Sequence, residues 1–222
     1  MNPQKLQERK KRAAQMMKAL TKLFPNAKIA LTYSNPWELL VAVELSAQCT
    51  DKMVNTITPV LFKKYKKLSD YVNANPREFE KDILKSGFYK NKTKNILASA
   101  CEVKEKWGGK IPQTMEDILT LPGVARKTAN VILGNAYGVV DGIAVDTHVK
   151  RFAQKFDLSD FKDPVRIEKD LMEILPKGEW LNFTYRIIEY GRAICTARKH
   201  DCKDHPLTKI YPPAAKIWPK AK

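Results

Sequence analysis

The stretch LPGVARKTAN, residues 121–130, decides how the rest of this 222-residue chain is read. It reads as the end of one helix, a tight Pro-Gly turn, and a second helix that opens with Arg126 and Lys127. Such a turn exposes backbone N–H groups at a helix N-terminus, where free donors and the helix dipole together favour an anion such as a phosphate. A grip of this kind holds a phosphate and reads no base sequence. An ordinary helical hairpin needs the same residues, so the turn alone leaves both readings open.

Outward from the turn, nearly every segment has a helical period, and no run of β-branched residues alternates with polar ones over strand length. The chain reads as all-α. Asn35 and Pro36 open PWELLVAVELSAQ, which is apolar almost all round and suits a central buried helix, with Glu44 its one awkward charge. Asp51 is placed to cap DKMVNTITPVLFKKY, within which Pro59 should kink the helix or end a turn. Gly87 closes a helix begun at Asn75 and Pro76, and YKNKTKNILASACEVKEKW follows with Ile96, Leu97, Ala100 and Val103 on one face. Asp146 is placed to cap a helix from Thr147, Asp163 with Pro164 opens another, and Glu179 to Ala193 reads as the last long one.

Composition narrows the class of partner. Forty Lys and Arg against 24 Asp and Glu give a net charge of +16, which points to a polyanion. The excess is uneven: residues 1–28 hold eight basic side chains against Glu8 alone, while 85–110 and 196–222 each hold seven against two. A merely solubilising set of lysines is the bland alternative. No apolar run is long enough to span a bilayer, and the N-terminal stretch lacks an apolar signal core, so the expectation is a protein of the cytoplasm or nucleoid, or of a nucleus, and not a secreted one. Four cysteines form no dense disulfide framework, and Cys49 and Cys101 are expected to be small buried residues.

Nineteen residues beyond Lys127 lies Asp146, in AVDTHVKR. The pair LPGVARKTAN and AVDTHVKR resembles the helix-hairpin-helix DNA glycosylases, and Lys127 with Asp146 resembles their endonuclease III branch. LSAQCTDKMVN at 45–55, GFYKNKTKNI at 87–96 and YGRAICTARK at 190–199 extend the resemblance over most of the chain. It implies two helical domains with DNA in the cleft between them: a six-helix domain over 29–139, with its hairpin near 115–136, and a second domain from 1–28 and 140–222. The implied activity is base excision repair, removing oxidised or damaged pyrimidines from duplex DNA and then nicking the strand at the abasic site. A monofunctional mismatch glycosylase of the same fold, or a helix-hairpin-helix module that only holds DNA, are the rival readings; the first generally lacks the lysine and the second does not explain Asp146.

The chemistry accounts for the residue types. The damaged nucleotide must leave the stack before its glycosidic bond can be reached. A neutral amine attacks C1′, the base departs, and the Schiff base acidifies the C2′ proton so that the 3′ phosphate is eliminated. Lysine can do both, whereas serine and tyrosine cannot. A low-dielectric cleft, a helix N-terminus and neighbouring Arg126 are expected to favour the neutral amine of Lys127, with Asp146 assisting deprotonation and facing the cationic sugar. Asp146 should cap its helix as well.

Further site residues follow from the resemblance. Gln48 would enter the gap left by the extruded nucleotide, and Phe88 would wedge into the base step, with core filler as the alternative for Phe88. Lys90, Gly123, Ala125, Arg126, Thr128, Arg198 and Lys199 complete the implied DNA contacts, and His148 would organise the site or meet a phosphate. Ala125 stands where the family's hairpin carries a second glycine, at a cost of about 1 kcal/mol if the position needs positive φ.

The family commonly holds a [4Fe-4S] cluster with four cysteines separated by six, two and five residues. Here Cys195 and Cys202 keep the first interval, but the third and fourth positions are His205 and Tyr211. Iron clusters take thiolates, so the expectation is a metal-free remnant over 195–211 with no cofactor, shaped by Pro206, Pro212, Pro213 and Trp218. Zinc on Cys195, Cys202, His205 and His200 is the alternative by ligand type. The implied partner is damaged duplex DNA, bound by a monomer with no membrane involved.

Overall fold

The computed structural model describes residues 2–219, and all regular structure among them is helical. The helices are α1 (Pro3–Leu23), α2 (Pro36–Ser46), α3 (Asp51–Lys64), α4 (Leu68–Val72), α5 (Pro76–Asp82), α6 (Tyr89–Lys106), α7 (Met115–Ile118), α8 (Arg126–Tyr137), α9 (Thr147–Lys155), α10 (Pro164–Ile174), α11 (Trp180–Ala193) and α12 (Pro206–Ile210). Short 3₁₀ turns add Leu84–Ser86, Lys177–Glu179 and Pro212–Lys216. The chain divides into two compact units, Ala30–Asp141 and Met1–Ile29 together with Gly142–Lys222. Among the described residues no helix is long and apolar enough to cross a membrane.

The helix starts follow local chemistry. Asn2, Asn35, Asn75, Asp146 and Asp163 each accept a first-turn N–H through their side chains, and proline sits in the first turn of α1, α2, α5 and α10. One cap differs from expectation: Thr50, not Asp51, accepts the N–H of Met53, and Asp51 lies in the first turn, where its charge suits the helix dipole. Nor does Pro59 end α3. It lies on the exposed face, where the carbonyl it leaves without a donor can bind water.

The unit spanning Ala30–Asp141 is built around α2, whose Leu39, Leu40, Val41, Ala42 and Leu45 are fully buried. This helix packs on α3, α6 and α8, and Ala129, Ile132 and Leu133 of α8 are buried, as the all-round apolar pattern of α2 requires of its neighbours. Edge-to-face contacts of Trp37 with Tyr71 and of Phe79 with Tyr65 and Tyr71, and a tilted one between Tyr65 and Tyr71, close the end of the unit near α4 and α5.

In the other unit α1 and α9 pack with α10 and α11 around Phe152, Phe156, Ile167, Leu171, Phe183 and Tyr190. The chain's first segment joins it by charge as well as by apolar burial. Arg9 is fully buried and reaches the carbonyl and carboxylate of Asp157 and the carboxylate of Asp160, while Arg12 donates to the carbonyls of Phe156 and Asp157. Lys5 pairs with Asp160. Three of the eight basic residues of segment 1–28 are therefore engaged within the fold.

Candidate active site and basic loop

The hairpin is held by the helix behind it. After α7 the chain turns with Leu121 and Val124 buried, and Ser99 of α6 donates through Oγ to the Pro122 carbonyl at 3.0 Å. Gly123 has φ +83°, and a Cβ there would lie 2.6 Å from Asn95 Nδ2 and 2.7 Å from Glu44 Oε2. Glycine is required here for both conformation and space. Ala125, in contrast, is extended at φ −89° and ψ 168°, so the expected backbone cost of alanine does not arise. No side chain caps α8 by hydrogen bond, which leaves first-turn N–H groups around Arg126, Lys127 and Thr128 without intrahelical acceptors. Lys127 is exposed on this turn; Arg126 and Thr128 are half-buried.

The odd charge of α2 has its explanation at the same place. The Glu44 carboxylate occupies the space left by the missing Cβ of Gly123, hydrogen-bonds to Asn95 and feels the charge of Lys92. Burial still dominates and pushes its carboxyl up to about 7, against the opposing pull of Lys92 and Asn95.

Gln48 and Phe88, though forty residues apart, share a support. Both adopt left-handed backbone, at φ 52° and φ 48°, which is uncommon outside glycine. Each is exposed, Phe88 to 62%, which rules out core filler for that ring. Beneath them Lys92 is buried and donates to the carbonyls of Leu45 and Ser86, both at 2.8 Å, so one ammonium ties the end of α2 to the 3₁₀ turn before Phe88. Lys90 is exposed one residue inside α6.

In the other unit, Asp146 caps α9 by accepting the N–H of Val149 at 2.8 Å, as expected, and is half-exposed. His148 is half-buried against Gly191 of α11, where any added Cβ would collide with its Nδ1. This packing orients the ring from behind.

The loop after α11 is held from α9. Arg151 donates to the carbonyls of Cys195 and Thr196, and fully buried Lys155 donates to those of Ala214 and Ile217 with its ammonium 3.7 Å from the Trp218 ring centroid. Arg198 and Lys199 are exposed on it; Lys220 and Lys222 lie outside the described residues. Cys195 and Cys202 are buried, whereas Cys49 and Cys101 are only half-buried, contrary to expectation. The donor set does not fit a [4Fe-4S] cluster: only two thiols stand in this loop, and Tyr211 is committed to stacking under the Arg12 guanidinium at 4.0 Å. The loop does bring ligand atoms of Cys195, His200 and His205 within 4.8 Å of one another.

Sequence reasoning missed Arg9, Lys92, Asn95, Arg151 and Lys155. Their signal was faint: Lys155 lies on the same helix face as Arg151 and Phe152, and Lys92 precedes apolar Ile96 by four, positions at which a purely solvated charge is unexpected.

Comparison with known proteins accords with this geometry. A model described as HhH-GPD superfamily base excision DNA repair protein matches residues 41–177. Endonuclease III of Synechocystis sp. is 46% identical over 95% of this chain and 96% of its own length, and that of Bacillus subtilis is 44% identical over 85% and 86%. A solved structure of a trapped endonuclease III–DNA covalent intermediate superposes with a TM-score of 0.88 at 40% identity, covering 93% of this chain and 97% of that one. The hairpin with its obligatory Gly123, the exposed Lys127 beyond it and these matches together place the chain in the HhH-GPD superfamily of base excision DNA repair proteins, within its endonuclease III family.

Proposed function

We propose that this protein is a bifunctional DNA glycosylase and AP lyase acting on oxidised or otherwise damaged pyrimidines in duplex DNA, with Lys127 as nucleophile and Asp146 as the assisting carboxylate. The observation that carries the reading is Lys127 itself, exposed on the uncapped first turn of α8 directly after the Gly123 turn. The amine of Lys127 attacks C1′; the glycosidic bond breaks and its electron pair leaves with the base. Loss of a C2′ proton from the resulting imine expels the 3′ phosphate, and water releases the lysine. The carboxylate of Asp146 takes the amine's proton and stabilises positive charge on the sugar.

DNA is gripped by the first-turn N–H groups of α8, by Lys90, and by Arg198 and Lys199 on the C-terminal loop. Gln48 and Phe88 stand out on strained turns, and filling the vacated stack with them offsets the unpairing of the extruded nucleotide. His148 aligns the segment that carries Asp146. The enzyme acts as a monomer and needs no [4Fe-4S] cluster, since two thiols and a stacked Tyr211 offer no such coordination.

The test is reductive trapping. Incubated with an abasic-site or thymine glycol duplex and borohydride, the protein forms a covalent adduct that Lys127→Gln abolishes, while Asp146→Asn loses base release but keeps DNA affinity. Base release without an adduct or nick would instead make it monofunctional. Duplex binding with neither would reduce it to a DNA-holding module.

A further inference from the structure

We propose that Cys195, His200 and His205 form a binding site for one zinc-type divalent ion, with the fourth position left to water. This replaces the expectation of a metal-free loop, and it rests on side-chain arrangement independently of the catalytic reading.

The chain has three histidines, and two of them converge here beside a buried thiol. The ligand atoms of Cys195, His200 and His205 all lie within 4.8 Å of one another. Tetrahedral bonds of roughly 2.0–2.3 Å place ligand atoms about 3.3–3.8 Å apart, so closure onto an ion asks for a movement of about 1 Å in a loop whose other side chains are largely exposed. The His200 ring is already oriented as a ligand: its Nδ1 lies 2.6 Å from the Arg198 carbonyl and so carries the proton, which leaves the lone pair on Nε2. That Nε2 is buried and has no hydrogen-bond partner. The same holds for Nδ1 of His205, whose ring stands 5.1 Å from that of His200. Two buried imidazole nitrogens without partners, flanking a buried thiol, are costly as they stand. A single ion satisfies all three.

Cys202 shapes the site through the turn that follows it, and lies outside the group of three close ligand atoms. The N–H of His205 donates to the Cys202 carbonyl at 3.1 Å, closing a Cys-x-x-His knuckle, and the Cys202 side chain is buried in the same loop. One thiolate and two neutral imidazoles halve the charge of a divalent cation, the Cys195 thiol releasing its proton to solvent on binding. The neighbouring cations, Arg151 on the Cys195 carbonyl and Lys155 under Trp218, favour the Cys195 thiolate.

The experiment uses the full chain, stripped with a chelator and titrated with Co²⁺ and then Zn²⁺. One Co²⁺ per chain is expected, with ligand-field bands of a tetrahedral ion and thiolate charge transfer that Zn²⁺ bleaches. His200→Ala, at a half-buried position, and His205→Ala each weaken binding at least about 100-fold, while Cys101→Ser in the other unit leaves it unchanged. Zn²⁺ raises the melting temperature of wild type but not of His205→Ala. Sub-stoichiometric binding, bands of six-coordinate cobalt, or binding that survives both histidine variants would overturn the proposal. So would isolation of the protein with four irons and sulfide.

Discussion

Gly123 and Ala125 sit two residues apart and obey different rules. Gly123 needs positive φ and also leaves room for the Glu44–Asn95 pair, so Gly123→Ala should cost about 2–4 kcal/mol, read as a lowered urea midpoint with unchanged slope. Ala125→Gly should change stability by less than about 1 kcal/mol, because its extended backbone suits any residue. Glu44 supplies a pH signature. Its folded carboxyl titrates near 7, above the unfolded value, so folding binds a proton in this range; stability falls as pH rises from about 4.5 to 7 and stays low above. Glu44→Gln removes that slope and should leave the protein more stable than wild type at pH 8, by on the order of 2–3 kcal/mol, with little difference near pH 4.5. Denaturant curves at the two pH values check the sign.

Lys92 acts at the scale of elements. Its ammonium joins the C-terminal end of α2 to the 3₁₀ turn leading into α6, and the left-handed residues Gln48 and Phe88 lie just beyond those two anchor points. Lys92→Met would leave two buried carbonyls without a donor, at about 2–4 kcal/mol. It should also weaken binding to lesion-containing duplex beyond what Gln48→Ala gives alone, since both turns lose their common tie. Equal affinities of the two variants, measured at a temperature where each is folded, would show that the turns hold themselves. Elements read well from sequence where capping is local: Asn35-Pro36, Asn75-Pro76, Asp146 and Asp163-Pro164 all begin helices as their residue types require. At α3 two adjacent capping residues competed, and the one whose side chain reached the N–H of Met53 was Thr50.

On the whole molecule, the charge of +16 divides into two kinds. Lys5, Arg9 and Arg12 are engaged with Asp157 and Asp160, whereas Lys90, Arg198 and Lys199 are exposed. Replacing Arg198 and Lys199 by alanine should reduce the slope of log K against log salt for duplex binding by about 2, uniformly across sequences. Arg12→Ala should lower the melting temperature and leave that slope unchanged. Net charge alone does not separate the two groups, because it sums side chains without regard to what each one touches.

What the sequence by itself determined was everything set by neighbours along the chain: the helical class, most helix starts, the Pro-Gly hairpin, and the residue types, an amine at Lys127 and a carboxylate at Asp146, on which the proposed chemistry rests. It also showed that the C-terminal loop lacks a cluster's four thiols, since ligand type and spacing are local properties. Tertiary structure decided the rest, because those matters depend on residues distant in sequence. Glu44 fills the space that Gly123 leaves, Lys92 braces two turns, Arg9 reaches Asp157 from the far end of the chain, and Tyr211 stacks on Arg12 where a fourth thiolate would have stood. The orphaned nitrogens of His200 and His205 belong to the same class: their composition was plain from the start, but only folding buried them together beside Cys195 and away from water.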